Sequence, residues 1–377
     1  MATPGSGMFL PTIPLAWALR TAGHEVLLAN NGAAAAAVTR AGLNVVDPCP
    51  DRDVWAEFMA ASHAINTTPP GEPRPARGGL GLFGEEMAEG LLAVAEEFRP
   101  DLVLSTLEQG AGPLVAALLG VPHVEQSVRL AWAAGDDQAR GHRDRIAAYL
   151  EPTRARLGLP RPAPSAAVID LRPPSLGGVA GADVWLMRYV PYNEAKVLPR
   201  WAIGVPDRPR VCVTFGSALP VSAAADALRE LVTVLAGKGF EVVLAVPDED
   251  SAALAPLPDH VRVVGWLPLN ALLPTCEAIV HHGGAGTTFT AMTCGLPQVV
   301  IPFNADQPAN ADVVAARGTG IRVPPTAMGP ADVAAALAEV LDDPAFRTAA
   351  TELREEIAAQ PDPHAVVARL MSVHTGH

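Results

Sequence analysis

Short apolar runs alternate along the chain with longer stretches in which apolar residues recur every three or four positions. Asp101–Thr106, Val211–Phe215 and Glu241–Val246 are short runs, and their length and β-branched content predict buried strands. Glu85–Phe98 and Ala223–Gly237 have the longer period, which predicts amphipathic helices. Strands that alternate with helices are typical of a parallel sheet covered by helices on both faces. The pattern therefore predicts an α/β fold of the doubly wound class.

The alternation occurs twice, and a proline-dense segment separates the two series. The remaining predicted strands are His24–Ala29, Leu43–Val46, Val121–Glu125, Val261–Val264, Ala278–His281 and Gln298–Ile301. The segment between the series contains Pro191, Pro199, Pro206 and Pro209, as is typical of an interdomain linker. We predict two Rossmann-like domains, 1–190 and 210–377, joined by a linker at 191–209. Because ligands bind beyond the carboxyl ends of such strands, we expect the domains to face each other across a cleft.

The composition excludes several classes of protein. The 377 residues carry 27 Lys+Arg against 40 Asp+Glu, a formal net charge of -13. This balance argues against nucleic acid and against a membrane surface as partners, because phosphate groups attract a basic face. No apolar stretch reaches transmembrane length and the start lacks a basic signal region, so we expect a cytoplasmic protein. The four cysteines form no C-x-x-C pair, which gives no support to a zinc or thioredoxin-type site.

Val280–Thr288 (VHHGGAGTT) has the densest concentration of candidate chemistry. An apolar strand runs into glycines and then into a predicted helix, whose free N–H groups and dipole favour an anion. Glycines let the backbone approach a phosphate closely, and His282 and Thr287 add donors. The alternative is an ordinary strand-to-helix turn with histidines that face solvent. A zinc site is disfavoured, since adjacent strand residues face opposite ways and no third ligand lies at metal spacing.

Two further segments carry groups that suit a sugar and a nucleobase. Pro302–Gln307 (PFNADQ) places Asp306 beside Gln307 after a predicted strand, and these side chains offer acceptors and donors to sugar hydroxyls. The alternative for Asp306 is a helix N-cap, a common role for aspartate. Trp266 in Gly265–Pro268 (GWLP) can stack on a base, although a lone tryptophan is more often part of a core.

The order W-x-P, HHGGAGT and P-x-x-x-D-Q, at these spacings, resembles the family 1 glycosyltransferases of the two-domain GT-B fold. The bacterial branch that glycosylates antibiotics and other secondary metabolites is the most similar. The resemblance covers nearly the whole chain, including Pro14–Arg20 and Ala22–Val26. It implies that 1–190 binds the acceptor and 210–377 binds the nucleotide-sugar donor. The residues that it assigns to donor binding are Ser217, Trp266, Leu267, His282, Gly284, Gly286, Thr287, Asp306 and Gln307.

The same resemblance implies a role for each of these residues. Trp266 stacks on the nucleobase, and Leu267 offers its backbone to the base edge. Ser217, His282, Gly284, Gly286 and Thr287 contact the diphosphate, and Asp306 and Gln307 hold the sugar hydroxyls. Eight residues after the histidine, UDP-using plant members carry a glutamate that holds the ribose, where this chain has Thr290. The missing carboxylate suits a deoxyribose, so we expect a TDP-sugar, with a deoxyhexose as the sugar.

The resemblance fails at the general base. The position of the family's catalytic histidine is Met8, and the aspartate that some aromatic-polyketide glycosyltransferases are thought to use aligns with Arg129. The other candidates in this half are Glu108, Glu125, Asp136, Asp137 and His142. We take Glu108, which follows a buried strand, and Asp137 as the catalytic candidates, although solvated loop charges are the alternative for both. An acidic phenol needs less help from a base than an aliphatic alcohol, which favours a phenolic acceptor.

The resemblance also fails at the start of the chain. Family members begin with a strand and then a loop, whereas Met1–Pro4 already aligns with that loop. We expect the first strand to be missing, either because the start codon is assigned too late or because the sheet has one strand fewer. The first explanation is favoured, because a central strand edge left exposed destabilises a sheet.

These observations predict an inverting, metal-independent hexosyltransferase with no cofactor, which moves a deoxysugar from a TDP-sugar to an aromatic polyketide phenol. The Pro-rich stretch at 48–84, predicted as loop over 48–80, suits an acceptor loop. C-glycosylation of an aromatic carbon, a catalytically impaired accessory protein that binds sugar nucleotides, and a GT-B nucleotide-sugar epimerase are the alternatives. The expected partners are the donor and a small-molecule aglycone, and the sequence leaves a homodimer open.

Overall fold

The structure, a computed structural model, describes residues 1–68, 78–216, 221–246, 254, 256–324, 326 and 329–375. The chain divides into unit 1, Met1–Arg188 with Gln360–His377, and unit 2, Tyr189–Ala359. Both units are built on parallel sheets with helices packed against them. The predicted α/β class is therefore confirmed.

Unit 1 contains two parallel sheets, one that pairs β1 with β2 and one with the order β3-β4-β5-β6. The strands are β1 (Leu28–Ala29), β2 (Val45–Val46), β3 (Val103–Thr106), β4 (His123–Gln126), β5 (Ala167–Asp170) and β6 (Val184–Leu186). The helices are α1 (Ser6–Phe9), α2 (Ile13–Thr21), α3 (Gly32–Arg40), α4 (Val54–Thr67), α5 (Gly81–Phe98), α6 (Ala111–Leu119), α7 (Asp137–Arg156) and α14 (Pro363–Thr375). Buried side chains of α5 and α6, among them Phe83, Met87 and Val115, form the core beside β3.

The two sheets of unit 1 are separated between β1 and β3, where only the first residues of the chain pair with both strands. The Met1 ammonium donates to the Leu104 carbonyl at 2.8 Å, and the Thr106 N–H donates to the Met1 carbonyl at 3.3 Å. On the other side, the Ala2 N–H donates to the Ala29 carbonyl at 3.3 Å. These bonds follow the pattern of a parallel strand, although residues 1–27 contain no strand.

A cavity of about 310 Å³ continues this gap past Met1. Apolar side chains of α2 and of the segments that lead into β1 and β3 line it, including Leu15, Leu19 and Leu102. Burial lowers the pKa of the Met1 ammonium to about 6, because the charged form loses its hydration. The predicted strand His24–Ala29 is reduced to Leu28–Ala29, since most of one edge has no strand beside it.

Unit 2 contains a six-stranded parallel sheet with the order β12-β11-β10-β7-β8-β9. The strands are β7 (Arg210–Thr214), β8 (Glu241–Ala245), β9 (Val261–Val264), β10 (Ala278–His281), β11 (Gln298–Val300) and β12 (Gly320–Arg322). The helices are α8 (Val221–Gly237), α9 (Leu269–Leu272), α10 (Ala285–Thr293), α11 (Gln307–Ala316), α12 (Pro330–Asp342) and α13 (Pro344–Ala359). The strand order reverses between β7 and β10, and ligands bind at the carboxyl ends of strands at such a switch point.

The observed units differ from the predicted domains at both ends of the second domain. The proline-dense segment belongs to unit 2 from Tyr189 onward, and residues 360–377 belong to unit 1. The Gln360 side-chain amide donates to the Arg172 carbonyl at 3.1 Å, and the Arg369 guanidinium lies 4.4 Å from the centre of the Trp185 ring. The sequence period predicts that α14 is a helix but does not say which sheet it covers, so these contacts decide the boundary.

The stretch predicted as a long loop over 48–80 contains α4, and residues 69–77 lie outside the described part of the chain. Asp53 caps α4 by accepting the Ala56 N–H at 2.9 Å. Trp55 and Phe58 of this helix lie 6.2 and 4.5 Å from the Phe83 ring, measured between centroids. The loop prediction over 48–80 was wrong for this part, because it followed the proline content. The aromatic contacts with Phe83 stabilise a helix instead. Neither α4 nor another helix in the described residues is long and apolar enough to cross a bilayer.

Candidate active site

The turn after β10 is organised by His281. Its Nε2 lies 2.9 Å from the Gln298 Oε1, and its Nδ1 accepts the Gly283 N–H at 3.1 Å. Gly283 has a φ of 89°, a conformation that favours glycine. Burial lowers the pKa of His281 to about 3. This ring is therefore a neutral, fully buried support for the turn, which excludes the alternative that it faces solvent.

His282 is held between two glycine backbones. A Cβ added to Gly216, just after β7, would lie 2.8 Å from the ring, and one added to Gly284 would lie 2.4 Å from its Nε2. Both positions must be glycine because the imidazole occupies the space. Burial lowers the pKa of His282 to about 4, and the Thr214 backbone and the Asp306 carboxylate only partly offset this shift. The ring is therefore neutral at physiological pH, so it carries a single N–H.

The N-terminus of α10 is the accessible part of this turn. His281, His282 and Gly283 are buried, whereas the residues from Gly284 to Thr287 are partly exposed. The Asn310 side chain donates to the Gly283 carbonyl at 2.8 Å and holds the turn from behind. A helix N-terminus presents N–H groups that no residue of the helix accepts, so the exposed stretch can receive an anion.

Trp266 lies on the segment between β9 and α9. Its side chain is 43% exposed, and its indole N–H donates to the Asn193 carbonyl at 2.8 Å. The edge of the ring is fixed while part of its surface is open, which suits stacking on a base and excludes the alternative of a core tryptophan. The Leu267 side chain is buried in a cluster with Leu272 and Leu273.

Gln307 organises the loop after β11. Its Oε1 accepts the N–H groups of Phe303 and Asn304 at 2.9 and 3.3 Å, and its Nε2 donates to the Asn304 Oδ1 at 3.2 Å. Asp306 is half-buried at the start of α11, and its side chain does not cap the helix, which excludes the N-cap alternative. A sugar hydroxyl would therefore compete with the backbone N–H groups of Phe303 and Asn304 for the Gln307 carbonyl oxygen.

Thr290 is fully buried on α10. Its Oγ1 donates to the Gly286 carbonyl at 2.7 Å and accepts from the Asn193 Nδ2 at 3.4 Å. The position thus carries no carboxylate, and its hydroxyl is engaged within the protein. Ser217, the remaining residue assigned to the diphosphate, lies outside the described residues.

The candidates for the general base lie in different surroundings. Glu108 follows β3, is fully buried, and accepts from the Arg129 Nε at 2.6 Å. The Arg129 guanidinium lies 5.5 Å from the centre of the Trp132 ring, and that ring lies 5.7 Å from the ring of His142. Asp137, in contrast, lies exposed in the first turn of α7 and pairs with Arg140. The structure groups Glu108 with Arg129 and leaves Asp137 in solvent.

The other acidic candidates have structural partners. Glu125 forms a paired contact with Arg143, at 2.8 and 2.7 Å from Nε and Nη2, and burial raises the pKa of the Glu125 carboxyl. Asp136 caps α7 by accepting the Ala139 N–H at 2.8 Å. At the family's histidine position, the Met8 Sδ accepts from the Thr3 hydroxyl at 2.9 Å. Among the described residues, no group of three or more His, Cys, Asp or Glu is placed to hold a metal ion.

Two residues that no sequence motif predicted, Tyr189 and Asn193, also contact α10. The Tyr189 hydroxyl donates to the Gly286 carbonyl at 3.4 Å, and its ring stacks on Phe289 at 4.8 Å between centroids. Burial raises the pKa of Tyr189 to about 12, so the hydroxyl stays protonated. Tyr189 lies just before the predicted linker and Asn193 near its start, and the sequence around them shows only prolines as a distinctive feature.

Both units match domains of one known protein family. Residues 17–216 match the N-terminal domain, and residues 229–373 the C-terminal domain, of the family described as erythromycin biosynthesis protein CIII-like. The chain is 38% identical to the elloramycin glycosyltransferase ElmGT of Streptomyces olivaceus, over 98% of this chain and 95% of that protein.

Two solved structures share the architecture. The glycosyltransferase SnogD of Streptomyces nogalater has a TM-score of 0.82 and 36% identity, over 99% of this chain and 97% of that one. SsfS6 of Streptomyces sp. SF2575, a glycosyltransferase solved in complex with thymidine diphosphate, has a TM-score of 0.78 and 34% identity over 98% of both chains. These matches confirm the predicted GT-B fold.

Proposed function

The chain is a hexosyltransferase of the erythromycin biosynthesis protein CIII-like family, and from that premise we propose that it transfers a deoxysugar from a TDP-sugar to a phenolic hydroxyl of an aromatic polyketide. The relative ElmGT is named for elloramycin, and SsfS6 is solved with thymidine diphosphate. The structure of SsfS6 supports TDP as the leaving group, and the name of ElmGT supports a polyketide aglycone as the acceptor.

The arrangement of His282 carries the proposal. A neutral imidazole, fixed between Gly216 and Gly284, lies beside the exposed first turn of α10. A diphosphate placed there meets backbone N–H groups and the helix dipole, and we propose that the single imidazole N–H also donates to it. Such preorganised donors stabilise the charge that grows on the leaving TDP.

Thr290 supports thymidine over uridine as the nucleoside. The buried hydroxyl bonds to the Gly286 carbonyl and to Asn193, so this position supplies no acceptor to a ribose 2′-OH. A deoxyribose lacks that hydroxyl and loses nothing by this arrangement. An enzyme that discriminates between two sugars differing by one hydroxyl usually forms a hydrogen bond to that hydroxyl, and position 290 offers no such bond to a ribose 2′-OH.

The proposed reaction inverts the anomeric carbon. The acceptor oxygen forms the new bond to that carbon while the bond to the β-phosphate oxygen breaks, and TDP leaves from the opposite face. The acceptor proton goes to Glu108, which we propose as the base ahead of Asp137 because it follows β3 at the carboxyl end of the sheet. We propose that no metal or cofactor takes part, since the His282 N–H and the N-terminus of α10 stabilise the charge of the diphosphate.

Two alternatives keep the same donor. If the acceptor attacks through an aromatic carbon, the product is a C-glycoside. If the acceptor side is inactive, the protein is an accessory sugar-nucleotide binder, which Met8 at the histidine position favours. An epimerase would need catalytic carboxylates near the donor sugar, where Asp306 is the carboxylate that the sequence offers.

The experiment incubates the protein with a TDP-deoxysugar and a panel of aromatic polyketide aglycones, with and without EDTA. We expect a product heavier by one deoxyhexose, one TDP per product, and the same rate with EDTA. A product whose sugar is not released by acid hydrolysis would indicate C-glycosylation instead of O-glycosylation. TDP binding without turnover across the panel would favour the accessory protein, and a changed free sugar nucleotide the epimerase.

A further inference from the structure

One asparagine in the segment predicted as a linker bonds to three parts of the donor site. The Asn193 carbonyl accepts the Trp266 indole N–H at 2.8 Å. The Asn193 Oδ1 accepts the Asn270 N–H at 3.0 Å, at α9. The Asn193 Nδ2 donates to the Thr290 Oγ1 on α10 at 3.4 Å. A single residue therefore connects the exposed tryptophan, the helix after it and the helix of the glycine turn.

The bond to α10 leads to the turn that would receive the diphosphate. The Thr290 hydroxyl donates to the Gly286 carbonyl at 2.7 Å, one turn closer to the start of the helix. The Tyr189 hydroxyl reaches the same carbonyl, and its ring stacks on Phe289 with an interplanar angle of 12°. The segment that contains Tyr189 and Asn193 is thereby fixed along α10.

The bond to Trp266 acts on the orientation of its ring. The indole is 43% exposed, so core packing alone does not hold it in one rotamer. The hydrogen bond to the Asn193 carbonyl fixes the edge of the ring, and the two side-chain bonds of Asn193 fix that carbonyl in turn. Ordering these groups before the ligand arrives lowers the entropy lost on binding.

We propose that Asn193 is a positioning residue for the donor, which sets the distance between the base-stacking face of Trp266 and the diphosphate end of α10. The inference rests on the proposed function, because that function gives these two surfaces their ligands. A ligand that spans both surfaces depends on their spacing, whereas a ligand that contacts one surface does not. TDP and inorganic pyrophosphate therefore respond differently to loss of the Asn193 side chain.

The test compares Asn193→Leu, which removes both side-chain bonds at similar volume, with Asn193→Asp, which keeps the acceptor for the Asn270 N–H. Asn44→Leu is the control for a new leucine, since Asn44 is exposed in unit 1. By calorimetry we expect the TDP dissociation constant to rise about tenfold in Asn193→Leu and about threefold in Asn193→Asp. Pyrophosphate affinity changes less than twofold in both variants. With donor and aglycone, the donor KM rises while kcat and the acceptor KM stay unchanged.

A double-mutant cycle with Trp266→Phe shows whether Asn193 acts through the tryptophan. We expect Asn193→Leu to weaken TDP binding much less in the Trp266→Phe background than alone. Additive effects, or equal losses of TDP and pyrophosphate affinity, would overturn the proposal and leave Asn193 with a general structural role.

A readout without ligand separates this inference from the proposed function. The emission of Trp266 is the difference between the spectra of the wild type and of Trp266→Phe. We expect this difference spectrum to shift to longer wavelength in the Asn193→Leu background, because the indole N–H then bonds to water. An unchanged difference spectrum contradicts the positioning role even if TDP binds, whereas absence of TDP binding to the wild type contradicts the proposed function alone.

Discussion

The two units differ at the centre of their parallel sheets. In unit 2 the central position belongs to β7, whose five residues are all buried and which pairs with β10 and β8. In unit 1 the position between β1 and β3 holds only the backbone of Met1 and Ala2, and the remaining space is a cavity of about 310 Å³.

The difference shows two ways to hold a functional group at the end of a sheet. His282 is fixed by the backbones of Gly216 and Gly284, which follow strands that pair in register, with Thr214 opposite His281. Glu108 follows β3, one of whose edges meets only Met1, and an ion pair with Arg129 holds its carboxylate. Backbone atoms therefore fix His282, which we propose for donor binding, whereas another side chain fixes Glu108, which we propose as the base.

The largest expected effect breaks the backbone support in unit 2. In Gly284→Ala the new methyl would lie 2.4 Å from the His282 Nε2, so the ring must leave its place. We expect donor kcat/KM to fall by about 10²–10³, as for loss of a preorganised donor. Steady-state kinetics measures it, and Gly284→Ala combined with His282→Ala should be no worse than His282→Ala alone. If the two losses multiply, the glycine does not act through the histidine.

A second change completes the sheet of unit 1. We expect an engineered six-residue apolar extension before Met1 (VIVLVV) to occupy the cavity as a strand, because central parallel strands are nearly continuous apolar runs. In a chain that begins at Met1 it also removes the buried ammonium, which costs about 2–3 kcal/mol below pH 6, so the free energy of unfolding in urea at that pH should rise by more than this amount. A Gly-Ser extension of equal length moves the charge without filling the cavity and should gain less. Equal gains would show that the cavity does not accept a strand.

For a chain that begins at Met1, the pH dependence of stability follows from the same ammonium. Its pKa falls from 8.0 to about 6 on folding, so between these values the unfolded chain binds more protons than the folded one. Stability is therefore lowest below pH 6 and rises toward pH 8, by about 2–3 kcal/mol for this group. Buried histidines add to the rise in every variant, so the measured quantity is the difference from the VIVLVV-extended chain. Parallel curves for the two chains would contradict the burial of the ammonium.

The smallest expected effect concerns the acceptor side. We expect Glu108→Gln to lower kcat about tenfold with an acidic phenol and by about 10² with an aliphatic alcohol, because the less acidic hydroxyl needs the base more. Asp137→Asn is the matched control and should change kcat less than twofold, since Asp137 is exposed and paired with Arg140. The measurement is kcat for both acceptors. Equal losses for the two acceptors would assign Glu108 to holding Arg129 rather than to proton transfer.

Much of the donor site follows from local sequence. Val280–Thr288 predicts a strand, a glycine turn and a helix, and the structure has β10, the turn and α10 at those residues. The sequence predicts these elements because helix periods, strand periods and glycine conformations depend on a few neighbouring residues. The sequence does not predict which acidic residue of unit 1 is the base. Glu108, Asp137 and the other candidates differ in burial and in their partners, and these depend on packing between distant segments.

The sequence alone determined that this protein is a two-domain α/β glycosyltransferase whose second half carries the motifs of donor binding. Tertiary structure decided that α14 returns to unit 1, that Gln307 bonds to its own loop, that Asn193 reaches Trp266 and α10, and that Glu108 is buried while Asp137 is not. The physical reason is that periodicity and motif spacing are encoded over a few residues, whereas burial and hydrogen-bond partners depend on which distant segments pack together.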